Sequence, residues 1–114
     1  MVTRTFGQYL KQEREARGFG LRELALACDL SPGYLSKIET GSVPIPSRGV
    51  LSVLASRLEI AEDTMLTAGG YITDSLKACI ASNPDAVKAI LASLEGRTQV
   101  ELDSLVRRVK DGDW

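Results

Sequence analysis

Apolar residues recur at helical spacing along the first part of the chain, and helix breakers interrupt them at short intervals. Phe6, Leu10 and Arg14 share a face, and Arg17-Gly18 supplies a basic last turn and a stop, so the pattern predicts a first helix over Thr5 to Arg17. Leu21, Leu24, Ala25 and Cys28 form the next periodic face, with Glu23 placed to support the helix N-terminus, and Asp29-Leu30 is a very short turn. Ser31 can cap a third helix, Pro32 suits its first position, and Gly41 ends it. Leu35 and Ile38 then face inward, which turns Gly33, Ser36, Lys37 and Thr40 outward.

The stretch "SVPIP", Ser42 to Pro46, cannot continue a helix, because each proline biases the residue before it toward extended geometry. Val50, Leu51, Leu54 and Leu58 mark a fourth helix. Ala61 to Ala68 reads as a short fifth that stops at Gly69-Gly70.

Beyond Tyr71 the style changes. Thr73 or Asp74 can open a helix containing Leu76 and Ile80, and Asn83-Pro84-Asp85 signals the start of another with Val87, Ile90, Leu91 and Leu94. Glu95-Gly96 ends it. Thr98 to Glu101 has capping-box spacing, and Leu102, Leu105, Val106 and Val109 follow as an i, i+3, i+4, i+7 stripe. The expected organisation is an all-α chain with a compact five-helix domain over residues 1–71 and a helical extension over residues 72–114.

Composition narrows the function. The 114 residues, 44% hydrophobic and 5% aromatic, suit one small domain with an aliphatic helical core. No apolar run approaches the roughly 18 residues of a membrane span, and nothing resembles a signal peptide, so a cytoplasmic location is expected. Histidine is absent, which removes the commonest general base and zinc ligand. Cys28 and Cys79 match no spaced metal motif and read as reduced thiols packed as small apolar residues. An enzyme, a metal site or a cofactor is therefore not expected. The net charge is −1, yet it is unevenly spread: residues 1–58 hold eight basic against five acidic side chains, leaving +3, and residues 59–114 hold six against ten, leaving −4. A local patch, not the net charge, decides which surface meets a polyanion.

Two helices joined by a very short turn, the second exposing small polar groups and a lysine, form a helix-turn-helix pattern. With "LRELALACDLSPGYLSKIETG", Pro46 before the fourth helix, "LASRLEI" and "MLTAGGY" in that order, residues 4 to 71 resemble the Cro and lambda-repressor type of helix-turn-helix domain, the XRE family of regulators. The resemblance implies five helices, binding to double-stranded operator DNA, usually as a dimer, and a third helix laid in the major groove. On that basis Ser31, at the start of the recognition helix, is counted among the DNA-binding residues, Pro32, Gly33, Ser36 and Lys37 face the bases, and Tyr34 flanks them, either approaching the DNA beside Gly33 or as a helix-packing ring with its hydroxyl on a phosphate. Arg22, Ser42 and Arg48 fall at backbone-contact positions. Lys37 can donate to a guanine, and its bland alternative is a solvated lysine. Arg14 and Glu39 occupy positions that pair in the family. Two departures are visible: Leu21 stands where a glutamine is frequent, and "SVPIP" lacks the basic residues many relatives carry, which implies fewer phosphate contacts and a shallower salt dependence.

A single helix-turn-helix reads few base pairs, so specificity calls for two, on half-sites about 34 Å apart. The stripes containing Leu91 and Leu94, and Leu102, Leu105, Val106 and Val109, either pack within one chain or cross a two-fold axis as a homodimer interface. Two functions remain in view: a repressor acting by occupancy, and an antitoxin or adaptor whose acidic extension binds a partner protein. Trp114 can cap the helical cluster or touch such a partner.

Overall fold

The computed structural model describes residues 4–111, so Trp114 lies outside the described residues. Every regular element among these residues is an α-helix, and the helices fall into two compact units, one spanning Thr5–Asp74 and the other made of the helices that follow.

The first unit holds α1 (Phe6–Ala16), α2 (Leu21–Ala27), α3 (Pro32–Thr40), α4 (Arg48–Leu58) and α5 (Glu62–Ala68). Local chemistry sets each boundary. Thr5 stands just outside α1 and closes a capping box, its hydroxyl accepting from the Gln8 amide at 3.1 Å while its own amide donates to Gln8 Oε1 at 2.9 Å. At α2 the Glu23 carboxylate accepts from the Gly20 amide at 3.2 Å. Ser31 Oγ accepts from the Tyr34 amide at 3.1 Å with Pro32 at the first position of α3, and Gly41 ends the helix in the left-handed region at φ 77°. Ser47 caps α4 by accepting from the Val50 amide at 3.4 Å. Helix α4 terminates on Glu59 at φ 57°, a conformation more usual for glycine.

Leu10, Leu24, Leu35, Leu51, Leu54, Leu58 and Met65 are fully buried and form one aliphatic core. Helices α1 and α2 both pack on α3, and α4 packs on α5. Helix α3 is thus held from two sides, with Leu35 and Ile38 inward. Phe6, Ala25 and Cys28 complete the seam.

In the second unit, α6 (Asp74–Ser82), α7 (Pro84–Leu94) and α8 (Gln99–Lys110) bury no residue. Asn83 precedes α7, yet its side chain does not cap that helix; its Nδ2 donates back to the Cys79 carbonyl at 3.2 Å and satisfies the end of α6 instead. Thr98 caps α8 by accepting from the Glu101 amide at 3.2 Å. The apolar stripes of the unit face outward: Ile90, Leu91, Val106 and Val109 are exposed, while Leu94, Leu102 and Leu105 are half-buried.

Candidate nucleic-acid interface

Helix α3 presents one face to the core and the other to solvent. Gly33 and Lys37 are exposed and Ser36 is half-buried, one helical turn apart on the outer side, while Pro32 and Tyr34 are half-buried at its leading end. Tyr34 packs against the aliphatic core. Its ring is therefore a packing element.

Behind that face, three interactions fix where α3 lies. The Arg14 guanidinium forks onto the Glu39 carboxylate, Nε to Oε2 at 2.7 Å and Nη2 to Oε1 at 3.0 Å, and its Nη1 donates to the Phe19 carbonyl at 2.9 Å. Both side chains are nearly buried, at 10% and 6% exposure, so the pair ties α1 to the last turn of α3 away from water. The hydrogen bond to Glu39 holds the Arg14 pKa above its ordinary value, against the opposing cost of burial. The third interaction is the absence of a side chain: a β-carbon on Gly7 would stand 2.3 Å from the Glu39 carbonyl oxygen and 2.6 Å from that of Ile38. Helix α1 approaches α3 as closely as it does only because residue 7 is glycine.

The flanks carry the positive charge. Arg22 at the start of α2 and Arg48 at the start of α4 are exposed, on either side of α3 in the chain, and Ser42 is exposed just beyond it. Thr40 and Ser42 share a hydrogen bond of 2.8 Å between their hydroxyls, which orders the step out of the helix. Arg48 stacks on Tyr71, with its guanidinium carbon 5.2 Å from the ring centroid, and the Tyr71 hydroxyl donates to the Pro46 carbonyl at 2.8 Å. One tyrosine therefore pins both the connector and the arginine beside it. The structure places Ser31 at the cap of α3 and Pro32, Gly33, Tyr34, Ser36 and Lys37 along it, and leaves Arg22, Ser42 and Arg48 exposed on the neighbouring segments of the chain.

Sequence reading missed Gly7 and Tyr71. A glycine inside an apolar helical face was the only local signal for the first. The second had none, because its partner Pro46 is distant in the chain.

A surface whose charged groups, Arg22, Lys37 and Arg48, are all exposed donors suits contact. Among the described residues no cluster of histidine, cysteine or carboxylates could hold a metal ion, and no helix is long and apolar enough to cross a membrane.

Residues 5–67 match the family model described as a helix-turn-helix domain. The chain is similar to the HTH-type transcriptional regulator RghRB of Bacillus subtilis, 33% identical over 67 residues that make up 59% of this chain and 48% of that protein. It is also similar to the HTH-type transcriptional regulator Rv0474 of Mycobacterium tuberculosis, 29% identical over 97 residues, 85% of this chain and 66% of that one. It thus spans about half the length of the first relative and just under two thirds of the second. Among solved structures, it resembles SinR, described as the master regulator for biofilm formation, in complex with DNA, at 34% identity and TM-score 0.51, covering 54% of this chain and 98% of that one. The clp gene regulator ClgR of Corynebacterium glutamicum is similar at 30% identity and TM-score 0.51, covering 80% and 92% of the respective chains. A SinR–SinI complex at 24% identity and TM-score 0.52 shares the fold. These regulators are not enzymes.

Proposed function

This chain belongs to the helix-turn-helix domain family of XRE-type regulators, and from that premise we propose that it is a sequence-specific DNA-binding transcriptional regulator, a repressor acting as a homodimer on a palindromic operator. The observation that carries the proposal is the outer face of α3, where Gly33 and Lys37 are exposed and Ser36 half-buried, with exposed cations, Arg22 and Arg48, near the starts of the helices before and after it in the chain. Lys37 reads a guanine edge, a contact worth about 1–3 kcal/mol of discrimination. Arg22, Ser42 and Arg48 hold the phosphate backbone and set register without specifying sequence.

The mechanism is occupancy. A protein seated on a promoter excludes polymerase, and the strength of repression follows the occupied fraction. One α3 spans only a few base pairs, so two are brought together through the second unit, where Leu91, Leu94, Leu102, Leu105, Val106 and Val109 form the interface. The exposure of Leu91, Val106 and Val109 in the single chain supports this reading, since a short hairpin seldom leaves such residues uncovered. Protein partners, as for an antitoxin or adaptor, compete for the same residues.

The test is selection of binding sites from random duplex DNA by the purified chain at a stated salt concentration. An enriched palindrome with half-sites one helical turn apart supports a dimeric operator-binding regulator. A folded protein that enriches nothing refutes stand-alone DNA reading and directs attention to a protein partner.

A further inference from the structure

The second unit presents helix α8, Gln99–Lys110, with Val106 and Val109 exposed at 50% and 45% and with no extensive packing partner inside its own unit among the described residues. The question is what covers it and in which direction. The apolar stripe Leu102, Leu105, Val106, Val109 has the spacing i, i+3, i+4, i+7, which reads the same in both directions about a centre between Leu105 and Val106. A second copy of α8 laid antiparallel across that centre therefore covers the whole stripe with itself.

The charges choose between antiparallel and parallel. At 3.6 residues per turn, Glu101 and Arg108 lie on one edge of the stripe, and Asp103 and Lys110 on the other. In an antiparallel pair with its two-fold between Leu105 and Val106, each edge meets the same edge of the partner helix run backwards. Glu101 then lies within about 3 Å of axial height of Arg108 in the second copy, and Asp103 stands likewise to Lys110, at 1.5 Å of rise per residue. All four contacts of the dimer join opposite charges. In a parallel pair each edge meets the opposite edge at nearly equal height, which sets Glu101 beside Asp103 and Arg108 beside Lys110. All four contacts would then join like charges.

We infer that α8 pairs with α8 of a second copy of this chain, antiparallel, about a two-fold axis between Leu105 and Val106, with Glu101 to Arg108 and Asp103 to Lys110 as the ion pairs that fix the direction. The inference rests on the homodimer reading above and specifies its geometry. Glu101 already touches Arg97 at 3.4 Å within its own chain, but both side chains are about half exposed and such a contact is weak enough to be exchanged. Two 12-residue helices alone cover less than the roughly 1,200 Å² of a stable interface, and the exposed Ile90 and Leu91 of α7 extend the apolar surface available.

The experiment is sedimentation equilibrium of the full chain at low salt, comparing the wild type with Glu101→Lys, Arg108→Glu and the double variant, each checked for helicity by circular dichroism. The antiparallel register predicts that each single variant raises the dimer Kd roughly tenfold, since two attractions become two repulsions. The double variant returns it toward the wild-type value. Both substitutions also oppose the helix dipole, so an effect through α8 stability alone would add in the double variant instead of cancelling. Single variants that tighten the dimer indicate the parallel arrangement and overturn the inference, as does a double variant that is the sum of its parts. A wild type that stays monomeric at all concentrations refutes the homodimer reading itself, a result distinct from a dimer of unaltered or opposite charge response.

Discussion

Glu39→Ala tests the account of how α3 is held. The substitution deletes two charge-assisted hydrogen bonds, of 2.7 and 3.0 Å, and leaves the Arg14 guanidinium nearly buried with only the Phe19 carbonyl, at 2.9 Å, as a partner. Each such bond contributes about 1.5–3 kcal/mol net, and stranding one member of a buried pair costs about 3–5 kcal/mol. The retained Phe19 bond and water entering the vacated space reduce the loss, so about 3 kcal/mol is expected. For a domain of this size that is a large share of a total of about 5–15 kcal/mol, and it corresponds to a fall in Tm of roughly 10–20 °C.

The assay is urea unfolding followed by circular dichroism at neutral pH for the wild type, Glu39→Ala, Arg14→Met and Arg14→Met/Glu39→Ala. A coupling energy of about 2–3 kcal/mol is expected, with the double variant more stable than the sum of the singles. The arginine side of the pair adds no pH dependence near neutrality. A folded-state pKa raised above the unfolded value stabilises at every pH below the unfolded arginine value and is lost only as pH rises through the raised one, beyond the working range. Single variants costing under about 1 kcal/mol each, and adding without coupling, would refute the reasoning and place the pair among surface ion pairs.

Three further outcomes follow from the same geometry. Gly7→Ala should destabilise by about 1–3 kcal/mol in the same melts, because the new β-carbon meets backbone oxygens that cannot turn aside; a neutral substitution would mean that α1 and α3 do not approach so closely. Lys37→Ala should change preference among operator sequences, whereas Arg48→Ala should weaken binding about equally to all and lower the salt slope by roughly one. The same uniform loss in both would defeat the division into reading and positioning contacts. Burial pushes the Cys28 thiol up, partly offset by the nearby Arg57, whereas Cys79 is exposed, so a thiol reagent at pH 8 should titrate one fast and one slow cysteine. Since the unfolded Cys28 ionises first, its contribution is intact below the unfolded pKa and declines as pH rises past about 8.5; two fast thiols in the native protein would contradict its burial.

What the sequence disclosed was whatever is decided within one turn of chain. Ser31 and Pro32 at one end of α3 and Gly41 at the other act through neighbours three or four residues away, so the helix and its outer face were legible before any coordinate. The all-helical architecture followed from the spacing of Leu24, Leu35, Leu51, Leu54 and Leu58, all fully buried. Gly7 was not legible, because its meaning is a distance to the backbone of α3 and not a propensity. Tyr71 was hidden for the same reason: its hydroxyl and ring serve Pro46 and Arg48, which only the folded chain brings near. Asn83 shows the opposite failure. Its sequence context signals a cap for the next helix, but its φ of −138° and ψ of 55° turn the side chain back to the previous one. Asp29 and Glu59, at φ 58° and 57°, are left-handed positions that a glycine would have announced.

These features bear on how a chain with a net charge of −1 can grip a polyanion. The connector contributes no lysine or arginine, so on the proposed function the phosphate contacts reduce to a few cations such as Arg22 and Arg48, and a monomer is expected to hold DNA weakly. A second reading head then matters more than it would in a strongly basic domain, since joining two heads turns the second binding event into an intramolecular one. The junction, on the register inferred for α8, depends on edge charges that salt screens, as salt also screens the phosphate contacts. Above the dimer Kd the salt dependence of operator binding reflects only the few phosphates neutralised, and below it the dissociation of α8 from α8 is added. A slope that steepens on dilution is therefore the joint signature of the two halves of the chain, and a slope independent of protein concentration would separate them.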